Sequence, residues 1–281
     1  MTLRDALREG SGRLGARGIE TPYLDSVLLL ALTLGVRKER VYTDLDETLA
    51  AADEHTFLDF IGRRAGGIPV SYLTRSKEFY GRRFYVDERV LVPRPDTETL
   101  IDAALDLIDR HSAIVRVHDL GTGSGCIALT LAAERKHLVV TASDLSAGAR
   151  EVFTLNAERL GLTVTVSGGS YFDEISPPVD LLVSNPPYLT DSEVDAMVAA
   201  GWPEPEIALR GGPEGTASLR TIVDGAGDVL AKRGFILLET APTQTEWLSA
   251  YLKTSGFTDT EIHFDLAGRA RCISAAIAAH A

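Results

Sequence analysis

The tetrapeptide Asn185-Pro186-Pro187-Tyr188 combines residue types that suit chemistry on a planar –NH2 group. It follows the apolar run 179–184, which predicts a buried strand, and open α/β sheets bind ligands beyond the carboxyl ends of their strands. Two prolines fix φ and remove two backbone donors, so the turn is rigid and extended. The Asn185 carboxamide and the backbone carbonyls can accept hydrogen bonds, and Tyr188 adds a flat ring. By itself, the pattern fits a purely structural Pro-Pro turn equally well.

A second candidate site is the glycine-rich turn after the predicted strand 115–119. Asp119 ends that strand, and Gly121, Thr122, Gly123 and Gly125 follow in the pattern Gly-x-Gly-x-Gly. Glycines allow a tight turn and a close approach to a ligand, and they leave N–H groups free at the start of a helix. The pattern is neither a P-loop nor the dinucleotide Gly-x-Gly-x-x-Gly. It suits an adenosyl amino acid, whose ammonium group would be held by nearby carbonyls or by Asp119 through water.

A third candidate is Asp144, which ends the next predicted strand, 138–144. A carboxylate about 20 residues beyond such glycines accepts hydrogen bonds from ribose hydroxyls. We include its neighbour Leu145, and also Asn185, among the expected cofactor-binding residues. The order of strand, glycine turn, helix, strand and acid therefore predicts a bound nucleoside cofactor.

These motifs together resemble class I S-adenosylmethionine-dependent methyltransferases that act on planar nitrogens. More narrowly, the chain resembles the HemK-like protein N5-glutamine methyltransferases, which methylate the Gly-Gly-Gln glutamine of peptide-chain release factors. The narrow match is carried by residues 67–72, 78–81, 91–98 (Leu-Val-Pro-Arg-Pro-Asp-Thr-Glu) and 204–212. The resemblance covers nearly the whole chain. It implies S-adenosyl-L-methionine as the cofactor and a release factor as the protein partner.

The chain departs from the family pattern in two places. Residues 239–244, Glu-Thr-Ala-Pro-Thr-Gln, lack the glycine of the family's Glu-x-Gly-x-x-Gln and contain a proline, which leaves the acceptor protein open. Ser170-Tyr171-Phe172 stands where family members often have Asp-Trp-Phe, and Tyr171 can still stack on a purine. Residues 265–271 retain the family's Asp-Leu-x-Gly-x-x-Arg.

The resemblance implies methyl transfer to a glutamine amide nitrogen, which is a poor nucleophile because its lone pair is delocalised. We expect Asn185, Pro186 and Tyr188 to be catalytic: the Asn185 side-chain oxygen and the Pro186 carbonyl accept the two N–H hydrogens, and Tyr188 packs on the amide plane. Orientation and placed dipoles then suffice without a strong base. The residues expected to bind the substrate are Asn185, Pro186, Pro187, Tyr188 and Arg94.

The elements that position these residues fall into three segments: a helical substrate-recognition domain (1–75), a β-hairpin linker (76–99) and a methyltransferase domain (100–281). The fold class expected is α/β, a Rossmann-like, doubly wound sheet of seven strands with a C-terminal antiparallel pair. Strands are expected near 115–119, 138–144, 163–167, 179–184, 234–239, 259–264 and 272–278. The sequence leaves two roles open for the helical region, a lid or a grip on the protein substrate.

Three residues outside the motifs carry specific expectations. Thr21 precedes Pro22 and predicts a helix start. His118 points away from Asp119 along a strand, which favours a structural histidine. Arg94 and Glu98 either contact the substrate or tie the hairpin to the catalytic domain.

Composition restricts the class of protein further. A chain of 281 residues with a net charge of −12 does not favour a protein that coats nucleic-acid backbones, so no direct nucleic-acid binding is expected. Two cysteines offer no disulfide framework, and no Cys/His spacing indicates a metal site. No run is long enough to span a bilayer and no signal-peptide pattern is present, so we expect a cytoplasmic protein.

Three other functions stay open. A ribosomal-protein glutamine methyltransferase would use the same chemistry on another protein. An N6-adenine nucleic-acid methyltransferase would present the same planar –NH2, but it must hold a phosphate backbone and a flipped base, and this acidic chain has no dedicated target-recognition segment. A non-catalytic module that keeps the fold is disfavoured by the intact Asn185, Asp144 and glycine turn.

Overall fold

The computed structural model describes residues 1–278, which divide into two compact units. The first comprises Met1–Ser76 together with Ala200–Pro203. The second comprises Lys77–Ala199 and the chain from Glu204 onward, and it therefore includes the hairpin that follows the helical region.

The first unit is helical, and its helices are α1 (Leu3–Gly15), α2 (Pro22–Leu34), α3 (Lys38–Thr43), α4 (Ala51–Ala65) and α5 (Val70–Leu73). A core of aliphatic side chains around Phe57 and Ile61 holds them together. Helix α2 begins with Pro22 at its first position, as predicted, but the Thr21 hydroxyl donates to Asp25 Oδ1 at 2.9 Å instead of accepting from a helix N–H.

The second unit begins with the antiparallel hairpin of β1 (Lys77–Phe79) and β2 (Arg82–Phe84). Helices and strands then alternate: α6 (Glu98–Arg110), β3 (Arg116–Leu120), α7 (Cys126–Glu134), β4 (Val139–Ser143), α8 (Ala147–Leu160), β5 (Thr165–Ser167), β6 (Val179–Ser184), α9 (Asp191–Ala199), α10 (Ala217–Val229), β7 (Leu230–Glu239), α11 (Thr245–Thr254), β8 (Phe257–Phe264) and β9 (Ala270–Ile277). Short 3-10 turns lie at Pro95–Thr97, Glu206–Ala208 and Pro242–Gln244.

Strands β3 to β9 form one sheet in the order β5-β4-β3-β6-β7-β9-β8. The first five of these strands are parallel, whereas β9 runs antiparallel between β7 and β8. Every residue of β6 is buried, because alternate side chains such as Leu181 and Leu182 enter separate cores on the two faces of the sheet. This arrangement confirms the predicted seven-stranded, doubly wound α/β fold with an antiparallel C-terminal pair.

The seven predicted strands are all present, and their boundaries differ by a few residues. The largest difference is at β7, which begins at Leu230 rather than near residue 234. Leu230 pairs with Val179, and the β6–β7 register shifts between this pair and the next one at Leu181. The added residues of β7 are therefore defined by pairing with β6 and not by an apolar pattern in the sequence. None of the helices within residues 1–278 has the length and apolar character needed to cross a bilayer.

Candidate active site

The carboxyl ends of β3, β4 and β6 open onto a cavity of about 210 Å³. Most of the residues singled out in the sequence line it, namely Gly121, Thr122, Gly123, Asp144, Leu145, Tyr171, Asn185, Pro186, Pro187 and Arg94. The glycine turn and the Asn-Pro-Pro turn therefore face one cavity, as expected for parallel strands that end at the same edge of a sheet.

The glycine turn owes its shape to left-handed backbone. Gly121, Gly123 and Gly125 have φ of +73°, +57° and +83°, a region that favours residues without a Cβ. A Cβ at Gly125 would also lie 2.7 Å from Phe153, so this glycine is required for packing beneath the cavity. At Gly121 and Gly123 the space that a Cβ would take is open, which leaves room for a ligand close to the backbone.

Asp119 lies beneath the glycine turn and does not line the cavity. Its Oδ2 accepts hydrogen bonds from Thr122 Oγ1 at 2.6 Å and from Ala128 N at 3.1 Å. The side chain is fully buried, Oδ1 has no hydrogen-bond partner among residues 1–278, and burial raises the pKa of Asp119 to about 7. These contacts give the carboxylate a role in holding the turn, and the expected water-mediated contact of Asp119 with the cofactor stays a prediction.

Asp144 lies directly after β4 and lines the cavity. Its two oxygens accept from Gly123 N and from Ser146 N, each at 2.8 Å. Burial raises the pKa of Asp144, and these two N–H groups act in the opposite direction. A carboxylate oxygen has lone pairs beyond the one used here, so Asp144 ties the glycine turn to α8 and can still accept from ribose hydroxyls.

Tyr171 stands on another side of the cavity, with its backbone at a φ of +48°. Its hydroxyl donates to Ser218 Oγ at 3.2 Å, which holds the ring in place. The N–H groups of the three glycines are not free, because Gly121 N, Gly123 N and Gly125 N donate to Ser143 O, Asp144 Oδ2 and Thr122 O. An aromatic ring, a carboxylate and the open space beside Gly121 and Gly123 around one cavity fit the purine, ribose and amino-acid parts of S-adenosylmethionine.

The catalytic candidates meet at the end of β6. Asn185 Nδ2 donates to Thr97 Oγ1 at 3.3 Å, while within residues 1–278 no group donates to Asn185 Oδ1 or to the Pro186 carbonyl. Tyr188 is not on the cavity wall. Burial raises the pKa of the Tyr188 hydroxyl to about 12, and the nearby charges of Glu239 and Arg271 act on it in opposite directions.

Two distant segments hold the backbone of this turn. Gln244 Nε2 donates to the Tyr188 carbonyl at 2.9 Å and to the Gly215 carbonyl at 3.1 Å. A Cβ at Gly211 would lie 2.8 Å from the Pro187 carbonyl, and one at Gly215 only 2.4 Å from the Tyr188 carbonyl. The glycines of the segment that follows the catalytic turn are therefore needed for close backbone contact with that turn.

The altered 239–244 segment contacts the catalytic turn through Gln244, whose side chain is itself held within the segment. Gln244 Oε1 accepts from Thr240 Oγ1 at 3.1 Å and from Ala241 N at 3.3 Å. Ala241, which stands at the family's glycine position, has φ −65° and ψ 144°, an extended backbone that any residue adopts. An alanine at this position therefore causes no backbone strain.

Residues 94–98, Arg-Pro-Asp-Thr-Glu, connect the site to neighbouring segments of the chain. The sequence left their role open between substrate contact and a structural tie. Arg94 pairs with the buried carboxylate of Glu204, which also accepts from Val92 N at 2.8 Å. Asp96 pairs with Arg271 at 2.6 Å. Glu98 accepts from Tyr80 N at 2.8 Å and so ties the hairpin to α6.

Glu239, at the end of β7, is 3% exposed. Burial raises the pKa of Glu239 to about 7, and the nearby side chains of Thr97 and Asn185 act to lower it. Sequence reasoning named Glu239, Gln244 and Glu204 only as parts of motifs and gave Thr97 no role. Their partners are distant in sequence, and no local pattern identifies such pairs.

His118 is structural, as the sequence favours. Its ring nitrogens lie 2.8 Å from Thr141 Oγ1 and 2.9 Å from Ser143 Oγ, and burial lowers the pKa of His118 to about 4. No group of three or more His, Cys, Asp and Glu side chains in residues 1–278 is arranged to hold a metal ion.

Comparison with known proteins extends over nearly the whole chain. Residues 5–74 match the family described as the PrmC N-terminal domain, and residues 99–201 match the methyltransferase small domain. A release factor glutamine methyltransferase from Moorella thermoacetica is 37% identical over 98% of both chains. One from Neisseria gonorrhoeae is 43% identical over 73% of this chain and 76% of its own.

Among solved structures, a methyltransferase from Pyrococcus furiosus has the same fold. It superposes with a TM-score of 0.53 and 17% identity, over 77% of this chain and 98% of its own. At that identity the likeness concerns the fold alone.

Proposed function

The chain belongs to the release factor glutamine methyltransferases, and we propose that it methylates the side-chain amide nitrogen (N5) of the Gly-Gly-Gln glutamine in a peptide-chain release factor. S-adenosylmethionine is its methyl donor. When bound, this cofactor supplies a methyl group on a sulfonium, which is electrophilic enough to react with a weak nitrogen nucleophile.

One observation carries the assignment of catalytic residues. Asn185 uses its nitrogen end on Thr97, so its oxygen end and the adjacent Pro186 carbonyl remain as two hydrogen-bond acceptors beside the cavity. A primary amide has two N–H hydrogens in one plane, and two fixed acceptors can bind both. The bound amide then presents its nitrogen in one orientation, and positive charge that develops on nitrogen is stabilised by the two oxygens.

The remaining site residues have supporting roles in this proposal. Asp144 accepts from the ribose hydroxyls, Tyr171 stacks on the purine, and Gly121 and Gly123 allow the backbone to approach the cofactor. Tyr188 lies outside the cavity wall, and its proposed role is to pack on the amide plane of a substrate that extends past the wall. Arg94, already paired with Glu204, shapes the side of the cavity that the substrate enters.

Two further parts of the proposal concern the partner. In this proposal the helical residues 1–75 bind the release factor, and the segment 76–99 supplies Arg94 and Thr97 to a transfer site whose other residues lie in the domain 100–281. Because release factors act on ribosomes, the enzyme works in the cytoplasm.

The test is mass spectrometry of a release factor from the same organism after incubation with the protein and labelled S-adenosylmethionine. We expect one methyl group on the Gly-Gly-Gln glutamine and none on a release factor in which that glutamine is replaced by glutamate. Label on a ribosomal protein or an adenine-containing oligonucleotide instead would reject the proposed acceptor.

The same assay tests the catalytic turn. Asn185→Ala should reduce transfer at least about 100-fold, because one of two acceptors is removed, while calorimetry should show cofactor affinity nearly unchanged. An active Asn185→Ala variant would reject the role given to the carboxamide.

A further inference from the structure

Glu239 is a buried carboxylate that the proposed reaction does not yet use. It ends β7, beside the end of β6 that leads into the catalytic turn, because Ser184 and Leu238 are partners in the parallel pairing of these strands. The side chain is 3% exposed and is not part of the cavity wall. Within the described chain its Oε2 has no hydrogen-bond partner, so the carboxylate is not held in a complete structural network.

Its neighbours are the catalytic carboxamide and the hydroxyl beside it. The side chains of Thr97 and Asn185 lie near Glu239 and act to lower its pKa, which favours its charged form. Asn185 Nδ2 also donates to Thr97 Oγ1 at 3.3 Å. A hydroxyl can donate and accept at once, so Thr97, which accepts from Asn185 Nδ2, can also donate to Glu239.

This arrangement distinguishes the two ends of the Asn185 side chain. In its charged form Glu239 only accepts hydrogen bonds, so the –NH2 end of the Asn185 carboxamide is attracted to it and the oxygen end is repelled. If the carboxamide rotated by half a turn, its –NH2 would face the –NH2 of the substrate. Two donors would then meet, and the substrate nitrogen would lose the acceptor that orients it.

We propose that Glu239, together with Thr97, is a positioning residue that fixes the Asn185 carboxamide with Oδ1 toward the substrate amide. This inference rests on the proposed methyl transfer to an amide nitrogen. Glu239 does not touch the substrate or the cofactor; it acts through Asn185. Thr97 is in turn held by its neighbour Asp96, which pairs with Arg271 of β9 at 2.6 Å.

The experiment compares Glu239→Gln and Thr97→Val in methyl transfer to a release factor. Both substitutions preserve the shape of the side chain. Glu239→Gln replaces a carboxylate that repels Asn185 Oδ1 with an amide that can donate to it. Thr97→Val removes the hydroxyl between Asn185 and Glu239. Each should lower kcat about 10- to 100-fold, because the reacting nitrogen is no longer oriented. In Glu239→Gln cofactor affinity by calorimetry should stay within about twofold, since Glu239 does not line the cavity, whereas Thr97 does. Thr97→Ser keeps the hydroxyl and should restore kcat.

The double variant separates positioning from general damage. Because both residues act on one carboxamide, the loss in Glu239→Gln/Thr97→Val should be close to that of the worse single variant, not the product of the two. Asp180→Asn is the matched control. Asp180 is another buried carboxylate, in β6, and it accepts from Arg116 N at 2.8 Å. This control should lower the unfolding temperature and leave kcat unchanged.

The outcomes distinguish failure of the positioning role from failure of the proposed function. If wild-type protein methylates the glutamine but Glu239→Gln keeps kcat within about twofold, or if the two losses multiply, the positioning role is overturned. A folding failure of Glu239→Gln leaves Thr97→Val and Thr97→Ser to decide, and equal kcat in those two also overturns it. If wild-type protein does not methylate the glutamine at all, it is the proposed function that fails.

Discussion

Gln244→Glu is the sharpest single change for testing how the catalytic turn is held. The substitution keeps the oxygen that accepts from Thr240 and Ala241, and it replaces the Nε2 that donates to the carbonyls of Tyr188 and Gly215 at 2.9 and 3.1 Å. Two carbonyl oxygens then face a carboxylate oxygen. The two lost hydrogen bonds are worth about 2 kcal/mol together, before any repulsion is counted.

A loss of about 2 kcal/mol should lower the unfolding temperature by roughly 4–8 °C, measured by calorimetry or circular dichroism. Freeing the Tyr188 carbonyl should also displace the turn, so kcat for release-factor methylation should fall about 10- to 100-fold. Cofactor affinity should hold, because Gln244 is not among the residues around the cavity.

Thr240→Val is the matched control for this prediction. It removes the hydrogen bond from Thr240 Oγ1 to Gln244 Oε1, 3.1 Å long, and leaves both donors to the carbonyls in place. The variant should lose about 1 kcal/mol of stability and keep its kcat. If Gln244→Glu unfolded within a degree or so of wild type and kept its kcat, the reasoning about this side chain would be refuted.

Three further predictions concern the rest of the site. Asp144→Ala should weaken S-adenosylmethionine binding by about 1.5–3 kcal/mol, roughly 10- to 150-fold in Kd, and unchanged affinity by calorimetry would show that the ribose lies elsewhere. In Gly211→Ala the new Cβ would lie 2.8 Å from the Pro187 carbonyl, so kcat should fall and stability should drop by about 1–3 kcal/mol; normal kinetics would contradict the close-contact argument. Burial raises the pKa of Asp119 to about 7, above its value near 3.8 in the unfolded chain. Between these two pH values the native state without cofactor binds more protons than the unfolded state. The free energy of unfolding should therefore fall as the pH rises from about 4 to about 7. Asp119→Asn should flatten the slope in urea unfolding, and an unchanged slope would reject this assignment.

The sequence predicted the fold and most of the cavity because these depend on local patterns. Apolar runs gave the strands, and parallel strands that end at one edge necessarily bring Asn185 and Asp144 to the same side of the sheet. Asp119 was harder to place. Its position at a strand end suggests a ligand contact. Whether a side chain at that position faces the cavity or lies under the turn depends on the path of the turn. In the structure Asp119 lies under the turn, where its Oδ2 accepts hydrogen bonds from Thr122 Oγ1 and Ala128 N.

The residues that sequence reasoning missed are those whose partners are far away in the chain. Thr97 and Asn185 are separated by 88 positions, and Gln244 and Tyr188 by 56. Each is an ordinary polar residue in a turn, and nothing in its neighbourhood shows which distant group it will contact. The motifs that contain them were visible, but their function is to join segments, and only the fold reveals which segments are joined.

These long-range contacts matter because the nucleophile, an amide nitrogen, is weak. An amide nitrogen gains little from a base, so the enzyme depends on the direction in which Asn185 Oδ1 and the Pro186 carbonyl point. The prolines make the tetrapeptide rigid, but a rigid turn can still rotate as a body about the end of β6. Gln244 fixes its far end through Tyr188, Gly211 and Gly215 allow a second stretch of backbone to pack against it, and Thr97 fixes its first side chain. A chain that kept the four residues but lost these contacts would bind the cofactor normally and transfer its methyl group poorly.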